Sequence, residues 1–278
     1  MIILYLLIIL ILWRIYSFMQ KESFKNIKIS RNNSFNNYGI KYIRPLLNNK
    51  KWTKYVDKLK FKELCKKLNI KTFKTLYILK NPKDLYKIYD KLPNKFVLKS
   101  NKAWNRNLIV KNKKDYTVKQ MLSKLSNYDD EFNLYSEPQY NYTKGQLYIE
   151  EFIDPLPEDI KIIIYKEKPT ILWVDSDRFK NHKKYFYKIQ NNKLNKLKNC
   201  YWKFPANKNK NLLIEDIIKK NKVKKMLDIA KSFNVNLPLY RVDLYWFKND
   251  FYGGEITLSS DNFNEKISEN CARISLGK

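Results

Sequence analysis

Apolar and polar positions alternate most regularly between Leu239 and Ser259, where L-Y-R-V-D-L-Y-W-F and F-Y-G-G-E-I-T-L-S flank Lys248-Asn249-Asp250. That period of two, rich in β-branched and aromatic residues, predicts two strands joined at the polar tripeptide. Asp243 and Glu255 fall one on each strand. If the hairpin pairs about its turn, the two carboxylates can face one point, as a hard cation such as Mg²⁺ requires of oxygen ligands. An ordinary hairpin with two solvated acids has the same spacing.

Helical spacing appears where Trp52, Tyr55, Val56, Leu59, Leu64, Cys65 and Leu68 recur, with Asn69 as the stop. Further along, the pattern predicts a strand over 75–79, a helix from Asn81-Pro82 through Tyr89, a strand over 95–99 and a polar loop over 100–107. A strand over 108–110 and a helix over 115–125 follow. Strands over 146–153, 159–165 and 170–174 are separated by turns at 154–157 and 166–169, and a helix over 222–233 leads into the opening hairpin. Helices mixed with mostly antiparallel strands argue an α+β fold rather than a parallel doubly wound sheet.

The N-terminus reads differently. Met1 to Trp13 is wholly apolar, Arg14 interrupts, and the apolar run resumes to Met19. This approaches the ~20 residues that span a hydrocarbon core, so a transmembrane anchor over 1–20 is expected, with Arg14 reaching the headgroups. Lys21, Lys25 and Lys28 follow it, which places the bulk of the chain on the cytosolic side. The asparagine pairs at 32–33, 36–37 and 48–49 read as a polar tether over 21–50, with order beginning at Trp52.

Composition narrows the chemistry. With His182 the only histidine, Ser-His-Asp, Cys-His and multi-histidine metal sites are nearly excluded. Cys65, Cys200 and Cys271 are odd in number and far apart, which indicates neither a disulfide framework nor a zinc site and suggests a reducing compartment. A net charge of +29 suits a nucleic-acid or anionic-lipid partner, yet the lysines are spread along the whole chain as on a generally solvated surface. The segment 183–203, with aromatics among lysines, suits stacking on bases and equally suits a basic edge hairpin. Glycine stands only at 39, 145, 253, 254 and 277, so neither glycine-rich phosphate motif can be formed.

An ordered series of short segments carries a resemblance. Val56-Asp57-Lys58, Phe96-Val97-Leu98-Lys99-x-Asn101, Glu150-Glu151-Phe152, Asp159-Ile160-Lys161, Val174-Asp175-Ser176-Asp177-Arg178-Phe179, Arg241-Val242-Asp243-Leu244-Tyr245 and Gly254-Glu255-Ile256-Thr257 together resemble the TupA-like branch of the ATP-grasp superfamily, over about 52–277. The resemblance implies two α+β lobes holding Mg-ATP between their sheets, a small lobe over 51–148 and a large lobe over 149–278. It implies that Lys99 and Asn101 serve the phosphates and that Glu150, Glu151 and Ile153 form the hinge strand on adenine. Asp243, Glu255 and Thr257 take the Mg²⁺ positions, with Thr257 where many members carry asparagine. Lys161, Arg241 and Arg178 take the basic positions near the transferred phosphoryl group and acceptor.

The implied activity is a carboxylate–amine ligase or a related phosphoryl transfer, acting at the membrane on a surface glycan precursor. A non-catalytic basic module binding nucleic acid or anionic lipid is the alternative. Three departures from the family stand out, the first being Lys62 in place of an arginine common in the first helix. The phosphate loop, Asn101 to Asn107, lacks glycine, and Ser259 to Asn262 lacks the glycine that follows the acidic strand.

Overall fold

The structure is a computed structural model that describes residues 29–102, 106–130, 137–176, 182–201 and 211–278. The expected membrane anchor lies outside the described residues. Among those described, no helix is long and apolar enough to cross a membrane.

The strands are β1 (Ile29–Ser30), β2 (Thr75–Ile78), β3 (Phe96–Ser100), β4 (Asn107–Val110), β5 (Leu147–Glu151), β6 (Asp159–Tyr165), β7 (Lys168–Ser176), β8 (Lys183–Gln190), β9 (Lys193–Leu197), β10 (Leu239–Phe247), β11 (Asp250–Thr257) and β12 (Ile267–Ser268). They form a four-stranded sheet in the order β2-β5-β3-β4, a six-stranded sheet in the order β11-β10-β6-β7-β8-β9, and the pair β1-β12. Every pairing between these strands is antiparallel, in agreement with the α+β expectation.

Each sheet is apolar on one face and polar on the other, because side chains alternate along a strand. In the smaller sheet Phe96, Leu98, Leu147 and Ile149 pack with Val118 and Met121 of the helix Val118–Lys124. Thr117 caps that helix reciprocally with Gln120, which starts it later than 115. In the larger sheet Ile160, Ile162, Leu172 and Val242 join a core with Met226, Leu227 and Ala230 of Val223–Ser232 and with Cys271, Ala272 and Ile274 of Glu269–Ser275. The opposite faces carry the polar side chains, beside Ile163, Ile171 and Trp173 in the larger sheet.

The sequence predicts one helix over 52–68; the structure has two, Thr53–Val56 and Lys58–Lys67. Asp57, in extended backbone, breaks the run, and its Oδ1 accepts from the Leu59 and Lys60 amides. The β10–β11 turn is also tighter than expected. Lys248 and Asn249 both take left-handed backbone, and Asp250 already pairs with Phe247. The basic aromatic segment is an edge hairpin over its described part, with β9 outermost in the six-stranded sheet.

Two expectations are overturned. Order begins well before Trp52, and two of the asparagines read as a tether, Asn33 and Asn36, are buried fastenings, while Asn32, Asn37, Asn48 and Asn49 are exposed. Asn36 Nδ2 donates to the carbonyls of Arg31 (2.7 Å) and Glu265 (2.9 Å), and its Oδ1 accepts from the Glu265 amide (3.1 Å). Composition cannot distinguish an asparagine that solvates a loop from one that satisfies buried backbone groups. The second correction concerns the cysteines. Cys200 and Cys271 form a disulfide, with Cα atoms 5.6 Å apart across 71 residues of sequence, which runs against the reducing compartment inferred from spacing.

Asn36→Ala leaves buried donors and acceptors without partners, so it should destabilise the protein by about 1–3 kcal/mol in denaturant unfolding; a change within error would restore the tether reading. Alkylation of the unfolded, unreduced chain should label one thiol, Cys65. Three labelled thiols would show the disulfide absent.

Candidate active site

The polar faces of the two larger sheets enclose a cleft of about 770 Å³. Its smaller-sheet wall carries Val97, Lys99, Tyr148 and Glu150, and its larger-sheet wall carries Lys161, Trp173, Arg241, Asp243, Glu255 and Thr257.

Register explains the second wall. Asp243 lies opposite Glu255 on β11 and opposite Lys161 on β6, while Arg241 lies opposite Thr257. Residues two apart share a face, so one patch of sheet gathers all of them. The β10–β11 ladder slips just after Asp243, where Gly254 is the extra residue. A Cβ on Gly254 would stand 3.0 Å from the Asp243 carbonyl oxygen and from the Tyr245 ring, so a side chain there would press on the strand that carries the acid.

Asp243 is 3% exposed and fully engaged. Arg241 grips it bidentately, Nε to Oδ1 at 2.6 Å and Nη2 to Oδ2 at 2.8 Å, and Lys161 Nζ donates to Oδ2 at 2.7 Å. Burial pushes the Asp243 carboxyl upward, but Arg241 and Lys161 outweigh it and hold the pKa at about 2. Burial likewise disfavours charge on Arg241 and Lys161, and the surrounding carboxylates reverse that, raising both. Arg241 also donates to Ser260 Oγ (2.7 Å), Thr257 Oγ1 (3.0 Å) and Glu255 Oε1 (3.3 Å). Thr257 in turn donates to Glu255 Oε1 at 3.1 Å.

The smaller sheet mirrors this with the charges reversed. Glu150, 4% exposed, lies between two ammonium groups: Lys99 bonds one oxygen and Lys62 Nζ approaches the other at 2.5 Å. Burial raises its pKa and the two lysines more than reverse the effect, so it stays below the ordinary carboxylate value. Lys58 also lines the cleft. Desolvation lowers its pKa, Glu255 opposes that from one lobe, and Lys99 adds to it from the other.

Several assigned residues stand elsewhere. Asn101 is consumed by structure: its Nδ2 donates to Asp57 Oδ2 (3.0 Å) and the Lys144 carbonyl (3.2 Å), and its Oδ1 accepts from the Gln146 amide (2.8 Å). It fastens the phosphate-loop root to the cap of the first long helix. Glu151 accepts from the Lys74 amide at 2.7 Å and does not line the cleft, nor does Ile153. Arg178 lies outside the described residues. The cleft adds residues to which sequence reasoning gave no role: Lys58, Lys62, Asp159 and His182. Lys58 and Asp159 stood inside the family segments. Lys62, marked in the sequence only as replacing an arginine common in the family's first helix, approaches Glu150 from the helix Lys58–Lys67.

The family model for TupA-like ATPgrasp matches residues 38–278, and the chain belongs to that family. None of the curated proteins matches it. Solved structures similar to it include a D-alanine–D-alanine ligase from Helicobacter pylori (19% identity, TM-score 0.45, covering 81% of this chain and 60% of that one). Another is the N5-carboxyaminoimidazole synthase from Aspergillus clavatus in complex with ADP (15%, 0.42, 73% and 44%). A third is the ATP-grasp ligase PsnB with a precursor variant, Mg and ADP (7%, 0.42, 80% and 58%). The chain thus spans between 44% and 60% of the length of these three proteins.

Asp243→Asn should cost roughly 3–5 kcal/mol, because it leaves two buried cations short of an anion. A depressed pKa contributes stability that is complete above the unfolded value of 3.8 and is lost as pH falls through about 2. Unfolding midpoints measured down this range should therefore fall more steeply for the wild type than for the variant. Parallel slopes would contradict the assignment.

Proposed function

We propose that the chain is an ATP-dependent ligase that joins a carboxylate to an amine through an acyl phosphate. The observation that carries this reading is the convergence, on one cleft, of a lysine wall from one sheet and an arginine–carboxylate wall from the other. Charge stabilisation and positioning are the main contributions a protein makes to phosphoryl transfer.

ATP is the substrate to be placed. Lys99 and Lys62 now neutralise Glu150, and a polyphosphate entering between the sheets offers Lys99 a second anion. Lys58 stands where it can follow charge on either wall. Arg241, anchored by Asp243 on one side and Ser260 on the other, has its guanidinium fixed before substrate arrives, so little ordering remains to be done on binding. Lys161, between Asp159 at 3.3 Å and Asp243 at 2.7 Å, is equally fixed.

Among the described residues no three or more His, Cys, Asp or Glu side chains form a metal cage. Mg²⁺ does not need one, since it usually takes one or two carboxylates and completes its shell with water and phosphate oxygens. Glu255, with the Thr257 hydroxyl beside it, fits that demand, and Asp243, opposite it on the adjacent strand, would join the ion by giving up a contact to Lys161 or Arg241. When bound, the ion would neutralise charge on the transferred phosphoryl group.

The apolar N-terminal run supports a membrane tether. With the following lysines it favours a catalytic domain on the cytosolic face, and the family membership favours a surface glycan precursor as the acceptor or donor. The disulfide favours an oxidising face instead, and the thiol titration above decides between them.

Mg-dependent ATP binding measured calorimetrically should fall at least tenfold in Lys99→Ala and vanish when Asp243→Asn is combined with Glu255→Gln. Wild-type affinity in the double variant would defeat the reading.

A further inference from the structure

The chain's single histidine enters the cleft at the junction of β7 and β8. His182 Nε2 lies 2.8 Å from Asp175 Oδ1, and the side chain remains 35% exposed. Asp175 is 3% exposed. Its other oxygen lies 3.9 Å from Lys161 Nζ, which is itself 2.7 Å from Asp243. Both His182 and Asp175 line the cavity that holds the phosphate-directed groups.

Other charged groups converge here. Lys184 Nζ lies 3.9 Å from Asp175 Oδ1 and sits over the Tyr201 ring at 4.5 Å. Tyr201 in turn feels Glu265, Asp261 and Asp175. Among the described residues, Lys184 and Lys161 are the cations set against Asp175.

We propose that His182, oriented by Asp175, is the general base that deprotonates the amine acceptor. The inference rests on the ligase reading above. Asp175 accepts the Nε2 proton, which fixes the tautomer and leaves the lone pair on Nδ1. Imidazole is the side chain suited to taking up and releasing a proton at neutral pH. The incoming ammonium gives one proton to Nδ1 and becomes a nucleophilic amine. Its nitrogen bonds to the carbonyl carbon of the acyl phosphate, and the carbon–oxygen bond to phosphate breaks. The nitrogen's surplus proton departs with the phosphate as hydrogen phosphate, and the imidazolium discharges to solvent through its exposed edge. No electron transfer is involved. Lys99, Arg241 and Asp243 serve phosphoryl transfer, so removing the imidazole should spare that half of the reaction.

The test uses the full chain with Mg-ATP and a panel of simple carboxylates, comparing two acceptors at pH 7. Hydroxylamine is unprotonated there and needs no base, whereas ethanolamine is an ammonium. His182→Gln should form hydroxamate within about twofold of wild type but lose amide formation by about 10²–10⁴-fold. The loss should shrink as pH rises toward the amine's own pKa. Asp175→Asn should move the same way. Equal loss with both acceptors, or unchanged amide formation, overturns the proposal. Wild type that releases ADP with no carboxylate under hydroxylamine would instead remove the ligase reading, and this one with it. Because the chain has one histidine, its ring nitrogens are assignable by NMR without ambiguity. The proton should sit on Nε2 in the resting protein; an Nδ1–H tautomer also overturns the proposal.

Discussion

One carboxylate between two cations organises the larger lobe. Asp243 is buried in the middle of a sheet, where an isolated charge would be costly, and it is tolerated because Arg241 and Lys161 saturate it from its own strand and the next. The same contacts immobilise two cations at the cleft surface. A loose arginine would have to be ordered by substrate, whereas this one is ordered by the sheet. The register of β6, β10 and β11 is therefore as much part of the site as the side chains, since a slip of one residue would turn all of them to the apolar face.

The smaller lobe solves the complementary problem. Two ammonium groups on one cleft wall repel, and Glu150 between them holds them close without a ligand. In the proposed reaction a phosphate would compete with Glu150 for Lys99, on a wall whose two ammonium groups are already held close by an anion. Lys58 lines the same cleft, where burial lowers its pKa.

Much of this was legible in the sequence, and what failed did so for identifiable reasons. Alternation of apolar residues located the strands of both sheets, because a half-buried sheet imposes a period of two. Asp243, Glu255, Lys161, Arg241, Thr257, Lys99 and Glu150 were named from ordered segments and meet in one cleft. Asn101 and Glu151 were named from the same segments, yet their side chains satisfy backbone and cap groups, a distinction that depends on atoms up to 77 residues away. The break at Asp57 was hidden because apolar spacing continues across it. The Cys200–Cys271 pair was hidden because closeness in space leaves no trace in spacing. The Asn33 and Asn36 contacts were hidden because their partners lie near the other end of the chain.

Those last contacts reach further than the seam they close. Asn33 and Asn36 bond the backbone of Glu265; the Glu265 carboxylate accepts from Ser260, and Ser260 accepts from Arg241. A continuous relay of hydrogen bonds therefore runs from the arm entering at Ile29 to the guanidinium at the base of the cleft. A change in how Asn33 and Asn36 seat against Glu265 would be felt at that guanidinium, so the first described segment and the cleft are not set independently.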